Sequence, residues 1–276
     1  MTNAFHCSNP YRYSLTDRIL IGENLNFSYG GRKILNNINF EIQNIERPHN
    51  TQGQIAIFVG RSGIGKTTLL KIIAGLLMPE SGKIKIGTDL HPIRVGEVGY
   101  VPQNYILFRH RTIFDNLKIG LDHSGEKLSK NEKNEIINQF AQDFDLKEHL
   151  FLYPSQLSSG QRQRVSIIQQ VMTGNKFIML DEPFSGLDIM MIDKVKMLLL
   201  KVSKMHQHNT LFIVSHDIST SMSIADVVYI LAKSDQNEGA EIKEMIDLKQ
   251  IGLAWKERIN NNNQFKELVR DMKNKI

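Results

Sequence analysis

The hydrophobic pattern divides the chain into two kinds of stretch. Leu25-Asn26-Phe27-Ser28-Tyr29 alternates, turns at Gly30-Gly31, and resumes as strand from Ile34 to Ile42. Ile55-Ala56-Ile57-Phe58-Val59 is continuously apolar and β-branched, the pattern of a strand buried on both faces. Lys83 to Ile86 alternates, and Val98-Gly99-Tyr100-Val101, Phe177 to Leu180, Thr210 to Val214 and Val227 to Leu231 read as further short strands. Helical spacing follows Ile55–Val59, from Thr68 to Ala74, and appears again around Ile113 to Ile119 and Glu132 to Phe144. Near the end Phe265, Leu268, Val269, Met272 and Ile276 form one apolar stripe, predicted to pack on the domain. The pattern predicts an α/β fold, with a strand-poor helical subdomain over about 104–160. Residues 1–20 read as a loose leader, and Gln43 to Gln54, polar with Pro48 and Gly53, as a surface loop. The chain from Ile242 on reads as helical, within a C-terminal extension spanning 236–276.

Composition changes this picture little. The 276 residues suffice for a stable core, and 41% hydrophobic with 23% charged residues is ordinary for a globular protein. Runs such as Ile72 to Met78 fall far short of the ~20 apolar residues a membrane span needs, and the N-terminus lacks a secretory signal. One cysteine, Cys7, excludes internal disulfides and cysteine metal clusters and fits a reducing cytoplasm. A net charge of +5 is mild and reads first as a solvated surface. The charged run Lys127 to Lys133 reads the same way.

The candidate chemistry is sharper. Gly60-Arg61-Ser62-Gly63-Ile64-Gly65-Lys66-Thr67 fits the phosphate-binding template G-x-x-x-x-G-K-[ST], and it lies between a strand and a helix, as such a loop must. Its glycines let backbone N–H groups approach phosphate oxygens, and the helix start, continuing into Thr68, adds orphan donors. Lys66 suits the β- and γ-phosphates, and the Thr67 hydroxyl suits a Mg²⁺ ligand. The bland reading is a glycine-rich turn. Asp181-Glu182 closes an apolar strand, where ligands bind in open α/β sheets; Asp181 suits a Mg²⁺ shell and Glu182 a base for water, against a helix-capping pair as the alternative. His216, at the end of another strand, would by itself be a packed or capping histidine more often than a catalytic one. Ser158-Ser159-Gly160-Gln161 opens a helix and is on its own a weak anion-site signal. Tyr29 is either a core aromatic or a base-stacking ring, and spacing does not decide between them.

Taken together, these segments resemble the ATP-binding subunit of ABC transporters over roughly Ile21 to Leu231. The phosphate loop is Gly60–Thr67, the glutamine loop Gln103 in Val101-Pro102-Gln103, the family signature Leu157–Gln161, the D-loop Pro183 to Asp188, the switch histidine His216 and the adenine-stacking aromatic Tyr29. The stretch Leu107 to Leu121 looks most like importers of the nitrate, sulfonate and taurine type. The resemblance implies a P-loop NTPase (RecA-like) core with an antiparallel β subdomain and the inserted helical subdomain, the ATPase domain covering 21–235. It implies ATP and Mg²⁺, with Mg²⁺ held by Thr67, Gln103 and Asp181. Two copies would sandwich two ATP molecules, each between one copy's Gly60–Thr67 and the other's Ser158–Gln161. Glu182 would polarise water and His216 contact the γ-phosphate. Membrane permease subunits, with a solute-binding protein as a further partner, would place the chain peripherally on the cytoplasmic face of the cell membrane.

Two features depart from the family pattern. Ser159 stands where glycine is usual; if that position needs positive φ, serine costs ~1 kcal/mol. Residues 45–51 look inserted ahead of the phosphate-loop strand. The rival class is a soluble ABC ATPase acting on nucleic acid or ribosomes, but one cassette without a sustained heptad repeat argues against it. A binding-only regulatory module would need neither Glu182 nor His216.

Overall fold

The alternating N-terminal stretch forms a long hairpin in the computed structural model, which describes residues 13–47, 53–206, 208–233, 238–256 and 259–276. Strand β1 (Ser14–Tyr29) turns at Gly30 and Gly31, both at positive φ, into β2 (Arg32–Glu46). Both strands run beyond the expected limits. β1 begins inside the predicted leader because Ile19 and Leu20 are buried, Leu15 pairs with Ile45, and Leu20 pairs with Ile86 on its other edge. The same pairing keeps residues 43–46 in strand rather than in the predicted loop. The rest of the leader, with Cys7, and residues 48–52 of the predicted loop lie outside the described residues.

Next come β3 (Gln54–Val59), α1 (Lys66–Ile73), β4 (Ser81–Ile86), β5 (His91–Pro92) and β6 (Val98–Val101). Helices α2 (Ile113–Asp122), α3 (Lys130–Asp143) and α4 (Ser159–Met172) occupy the predicted helical region and the segment after it. Thr112 caps α2, and Ser129 with Glu132 forms a reciprocal capping box on α3. The order closes with β7 (Phe177–Asp181), α5 (Ile189–Lys204), β8 (Thr210–Ser215), α6 (Ile218–Met222), β9 (Val227–Lys233), β10 (Ala240–Asp247) and α7 (Asn263–Lys275).

The described strands form one sheet, ordered β5-β4-β1-β2-β10-β9-β3-β8-β7-β6. Strands β9, β3, β8, β7 and β6 are parallel neighbours, and β1, β2, β4 and β5 add the antiparallel part. Strand β3 is buried at every position, and its alternation feeds two cores. Ile55, Ile57 and Val59 pack with the helical region and α4 to α7, while Ala56 and Phe58 pack with α1 and the hairpin.

β10 is where the sequence reading fails. Ala240–Asp247, rich in Glu and Lys, was expected as helix from Ile242 but pairs antiparallel with β9. Gly239, at φ 94, precedes the strand, and the edge of β9 offers a row of backbone partners that outweighs local helix preference. The domain boundary expected at 235 therefore falls between two paired strands. Helical structure resumes with α7, whose Phe265, Val269 and Met272 are buried in the same core as α6 residues Ile218 and Met222.

Candidate functional site

Three adjacent parallel strands deliver the candidate residues side by side. Val59 of β3 pairs with Ser215 of β8, and Val214 of β8 pairs with Asp181 of β7. The residues immediately beyond, Gly60, His216 and Glu182, thus emerge at one edge of the sheet, its carboxyl end. They border a cleft of about 390 Å³ lined by Ser62, Gly63, Gly65, Lys66, Thr67, Thr68, Gln103, Glu182 and His216, together with Ile34 and Ser185. Two neighbouring clefts, of about 310 and 480 Å³, share Gly63 and Ile64 with the outer side of the loop; Arg61 lines the second.

Glycine is required at two loop positions. At Gly65, φ is 111° and a Cβ would stand 2.9 Å from a methyl of Ile34; at Gly60 it would stand 2.6 Å from the Leu231 carbonyl oxygen. Lys66 opens α1 and is only 5% exposed. Its ammonium donates to the carbonyls of Gly60 (2.9 Å) and Arg61 (3.1 Å) and sits 3.3 Å from Glu182 Oε1. The other Glu182 oxygen accepts from the backbone N–H (3.1 Å) and Nδ1 (2.8 Å) of His216. A carboxylate only accepts here, so Nδ1 of His216 carries a proton toward Glu182, and Nε2 is left for the cleft. Glu182 also has a positive φ of 50°, a strained conformation held by its own N–H bonding to the Val214 carbonyl at 2.9 Å.

Asp181 is 5% exposed; Oδ1 accepts from the Thr67 hydroxyl (2.9 Å) and Oδ2 from the Tyr100 hydroxyl (3.2 Å). Burial pushes its carboxyl above its ordinary value of 3.8, against the two hydrogen bonds that pull it down. Burial likewise raises the Tyr100 hydroxyl, so it stays a donor. The Gln103 amide donates to Ser185 Oγ at 3.2 Å, leaving its carbonyl oxygen for another partner. Thr67, Asp181 and Gln103 thus offer hard oxygen donors, the set a small divalent cation takes.

The raised Asp181 carboxyl has a sign that can be tested. The folded protein holds that proton to higher pH than the unfolded chain, so its contribution to stability is full below about 3.8 and declines as pH rises through the folded value. Asp181→Asn removes this loss and keeps one acceptor oxygen for the Thr67 or Tyr100 hydroxyl, while its NH₂ donates to the oxygen of the other, whose own proton must turn away. Metal-free, nucleotide-free Asp181→Asn is expected to melt a few degrees above the parent at pH 7 and to converge with it near pH 4, as read by thermal scans across pH.

Not every candidate reaches the cleft. Tyr29 ends β1 with 53% exposure, its ring edge-on to Phe27 at 4.8 Å. Asp188 caps α5, accepting from the Met191 N–H at 2.9 Å. Ser158, Ser159, Gly160 and Gln161 form the start of α4 and do not line the cleft. Ser159 lies in the first helical turn, not at positive φ, so the cost anticipated for serine there does not arise. The segment after Glu182 is tied to α4 by Gln163, whose amide donates to the Pro183 carbonyl at 2.6 Å. Sequence reasoning missed Tyr100, Ile34 and Ser185. Tyr100 is three residues before Gln103 in a four-residue strand, and only the packing of β6 beside β7 marks it.

A glycine loop running from a central parallel strand into a helix, with its threonine bonded to an acid at the end of a nearby strand, defines a P-loop nucleotide-binding fold. Comparison narrows the class. The family profile described as ABC transporter matches residues 35–185. The sulfate/thiosulfate import ATP-binding protein CysA of Pseudomonas aeruginosa is 36% identical over 219 residues, covering 76% of this chain and 63% of the relative. The maltose/maltodextrin import ATP-binding protein MalK of Mannheimia succiniciproducens is 37% identical over 214 residues, covering 75% and 54%. The structure of cbiO1 from Clostridium perfringens, part of the ABC transporter complex cbiONQ, superposes with a TM-score of 0.71 at 26% identity, covering 94% of this chain and 100% of that one. The chain belongs to the ABC transporter family as an ATP-binding domain, and it spans 63% and 54% of the lengths of the two import proteins. Neither relative is named for nitrate, sulfonate or taurine, the subgroup suggested by Leu107 to Leu121.

Proposed function

We propose that this chain is the ATP-binding and ATP-hydrolysing subunit of an ABC importer, acting as a pair of copies against separate membrane permease subunits from the cytoplasmic face. The observation that carries the reading is the set Lys66, Thr67, Asp181, Glu182 and His216, drawn together at the carboxyl ends of β3, β7 and β8. Among the described residues no helix is long and apolar enough to cross a membrane, so the translocation path belongs to a partner. The relatives are named for import of sulfate/thiosulfate and maltose/maltodextrin, which supports an importer but assigns no cargo to this chain.

In this reading the phosphates of ATP lie along the N–H groups of Gly60–Thr67 and Thr68, and Lys66 leaves Gly60, Arg61 and Glu182 to pair with them. That exchange frees Glu182, which then orients a water in line with the γ-phosphorus and accepts its proton; ADP and inorganic phosphate leave. His216 keeps Glu182 aimed through its Nδ1–H; contact with the γ-phosphate, whose oxygens only accept, requires Nε2 to carry a proton as well. Thr67, Asp181 and Gln103 would hold Mg²⁺, which neutralises charge on the β- and γ-oxygens when bound. Tyr29, exposed at the hairpin tip, would stack on adenine. Ser158–Gln161 and Asp188, which do not line the chain's own cleft, would meet the ATP of the second copy. A solute-binding protein would deliver cargo to the permease.

Lys66→Ala tests the phosphate site. Loss of charge-assisted bonds is expected to weaken ATP binding to the isolated chain by about ten- to a hundredfold. Titration with a fluorescent ATP analogue reads this directly, and an affinity equal to the parent's would overturn the assignment.

A further inference from the structure

We propose that His149 is a positioning residue for the turn that opens α4, fixing which of its N–H groups are left for a phosphate. The proposal rests on the reading of Ser158–Gln161 as half of an ATP site.

A helix start leaves its first four N–H groups without intrahelical partners, here those of Ser158, Ser159, Gly160 and Gln161. Two are consumed in a reciprocal box: the Gln161 N–H donates to Ser158 Oγ at 3.3 Å, and the Ser158 N–H donates to Gln161 Oε1 at 2.8 Å. The N–H groups of Ser159 and Gly160 remain. The box holds only while the Gln161 amide keeps its oxygen toward Ser158.

His149 enforces that orientation. Because the Ser158 N–H can only donate, the Gln161 atom facing it is the oxygen, and the other end of the amide is NH₂. That NH₂ lies 2.8 Å from His149 Nε2. An NH₂ group only donates, so Nε2 must carry the lone pair, and the ring is neutral with its proton on Nδ1. Nδ1 is buried with no hydrogen-bond partner among the described residues. The fold bears an unpaired donor on one side of this ring while the other side accepts from Gln161, the arrangement expected where a side chain serves position over local satisfaction. Leu146 and Leu150, which flank the short helical turn Lys147–His149, are buried and anchor the turn that carries His149.

The test uses the full chain in a Glu182→Gln background, in which ATP-dependent dimers are expected to accumulate. His149→Phe keeps the ring and removes the acceptor; His149→Gln restores an acceptor oxygen near the place of Nε2. The Phe variant is expected to bind ATP as a monomer like its parent but to dimerise about five- to tenfold more weakly with ATP, and the Gln variant to recover most of the loss, as measured by sedimentation. Equal dimerisation of the Phe variant and its parent overturns the proposal, and so does a Gln variant no better than Phe. Selective ¹⁵N-histidine NMR of the monomer tests the geometry apart from the two-copy reading: the Nδ1–H tautomer is expected, and an Nε2–H tautomer overturns the proposal. If the parent itself fails to dimerise while that tautomer is found, it is the two-copy reading that falls, and a loss of the Ser158–Gln161 box in the Phe variant by NMR still decides the role of His149.

Discussion

Glu182→Gln is expected to bind ATP at least as tightly as the parent, to lose about two to four orders of magnitude in turnover, and to accumulate as an ATP-bound dimer. The substitution keeps the shape of the side chain. One amide oxygen can still accept from the backbone N–H and Nδ1 of His216, as Glu182 Oε2 does now. The NH₂ then faces the Lys66 ammonium, 3.3 Å from the present Oε1, and two donors meet where a charge pair stood. Lys66 is less firmly held in the nucleotide-free state and more available to phosphates, so affinity does not fall. Proton acceptance from water does fall, because a neutral amide is no base. Phosphate release at saturating ATP, with sedimentation of the same samples, checks both arms. Turnover within a few-fold of the parent would remove Glu182 from the role of base.

The sequence made some of this arrangement legible and hid the rest for physical reasons. The phosphate loop is one contiguous stretch whose glycines are demanded by close neighbours, Ile34 beside Gly65 and Leu231 beside Gly60, so its identity shows in eight adjacent letters. Strands β3, β7 and β8 stand out because both faces are buried and the apolar run is unbroken, and Asp181-Glu182 stands out because acids end such a run. β10 and the first residues of β1 are half-exposed and charged, and what makes them strands is pairing with another strand, β9 for the one and the far end of β2 for the other. Tyr100 and His149 are single residues whose roles depend on a hydrogen bond to another element, 81 and 12 positions away. No local pattern marks such a bond.

The strongest of these long-range links lies at the opposite end of β3 from the phosphate loop, and Asp226→Ala is expected to destabilise the protein by about 3–5 kcal/mol. Asp226 has 2% of its side chain exposed and pairs with Arg47, 5% exposed, at 2.9 Å. It also accepts from the Ile55 N–H at 2.7 Å and from the Trp255 indole N–H at 2.6 Å, while the Arg47 guanidinium lies 4.3 Å above the Trp255 ring. One carboxylate thus joins the end of the hairpin, the start of the phosphate-loop strand and the C-terminal segment. Alanine takes the carboxylate from a buried guanidinium, which keeps its bond to the Gly53 carbonyl at 2.9 Å, and removes the acceptor of the Ile55 and Trp255 N–H bonds. Asparagine does not rescue fully, because its NH₂ cannot accept from whichever donor it faces. At about 2–4 °C per kcal/mol for a chain near this size, the melting temperature should fall by about 6–20 °C. Trp255, the one tryptophan, reports the same event in its fluorescence. ATP should restore part of the loss, since a ligand that binds only the folded state stabilises it by mass action. A variant melting within about 2 °C of the parent, on that same scale, would mean that the cluster accommodates the loss and does not clamp β3.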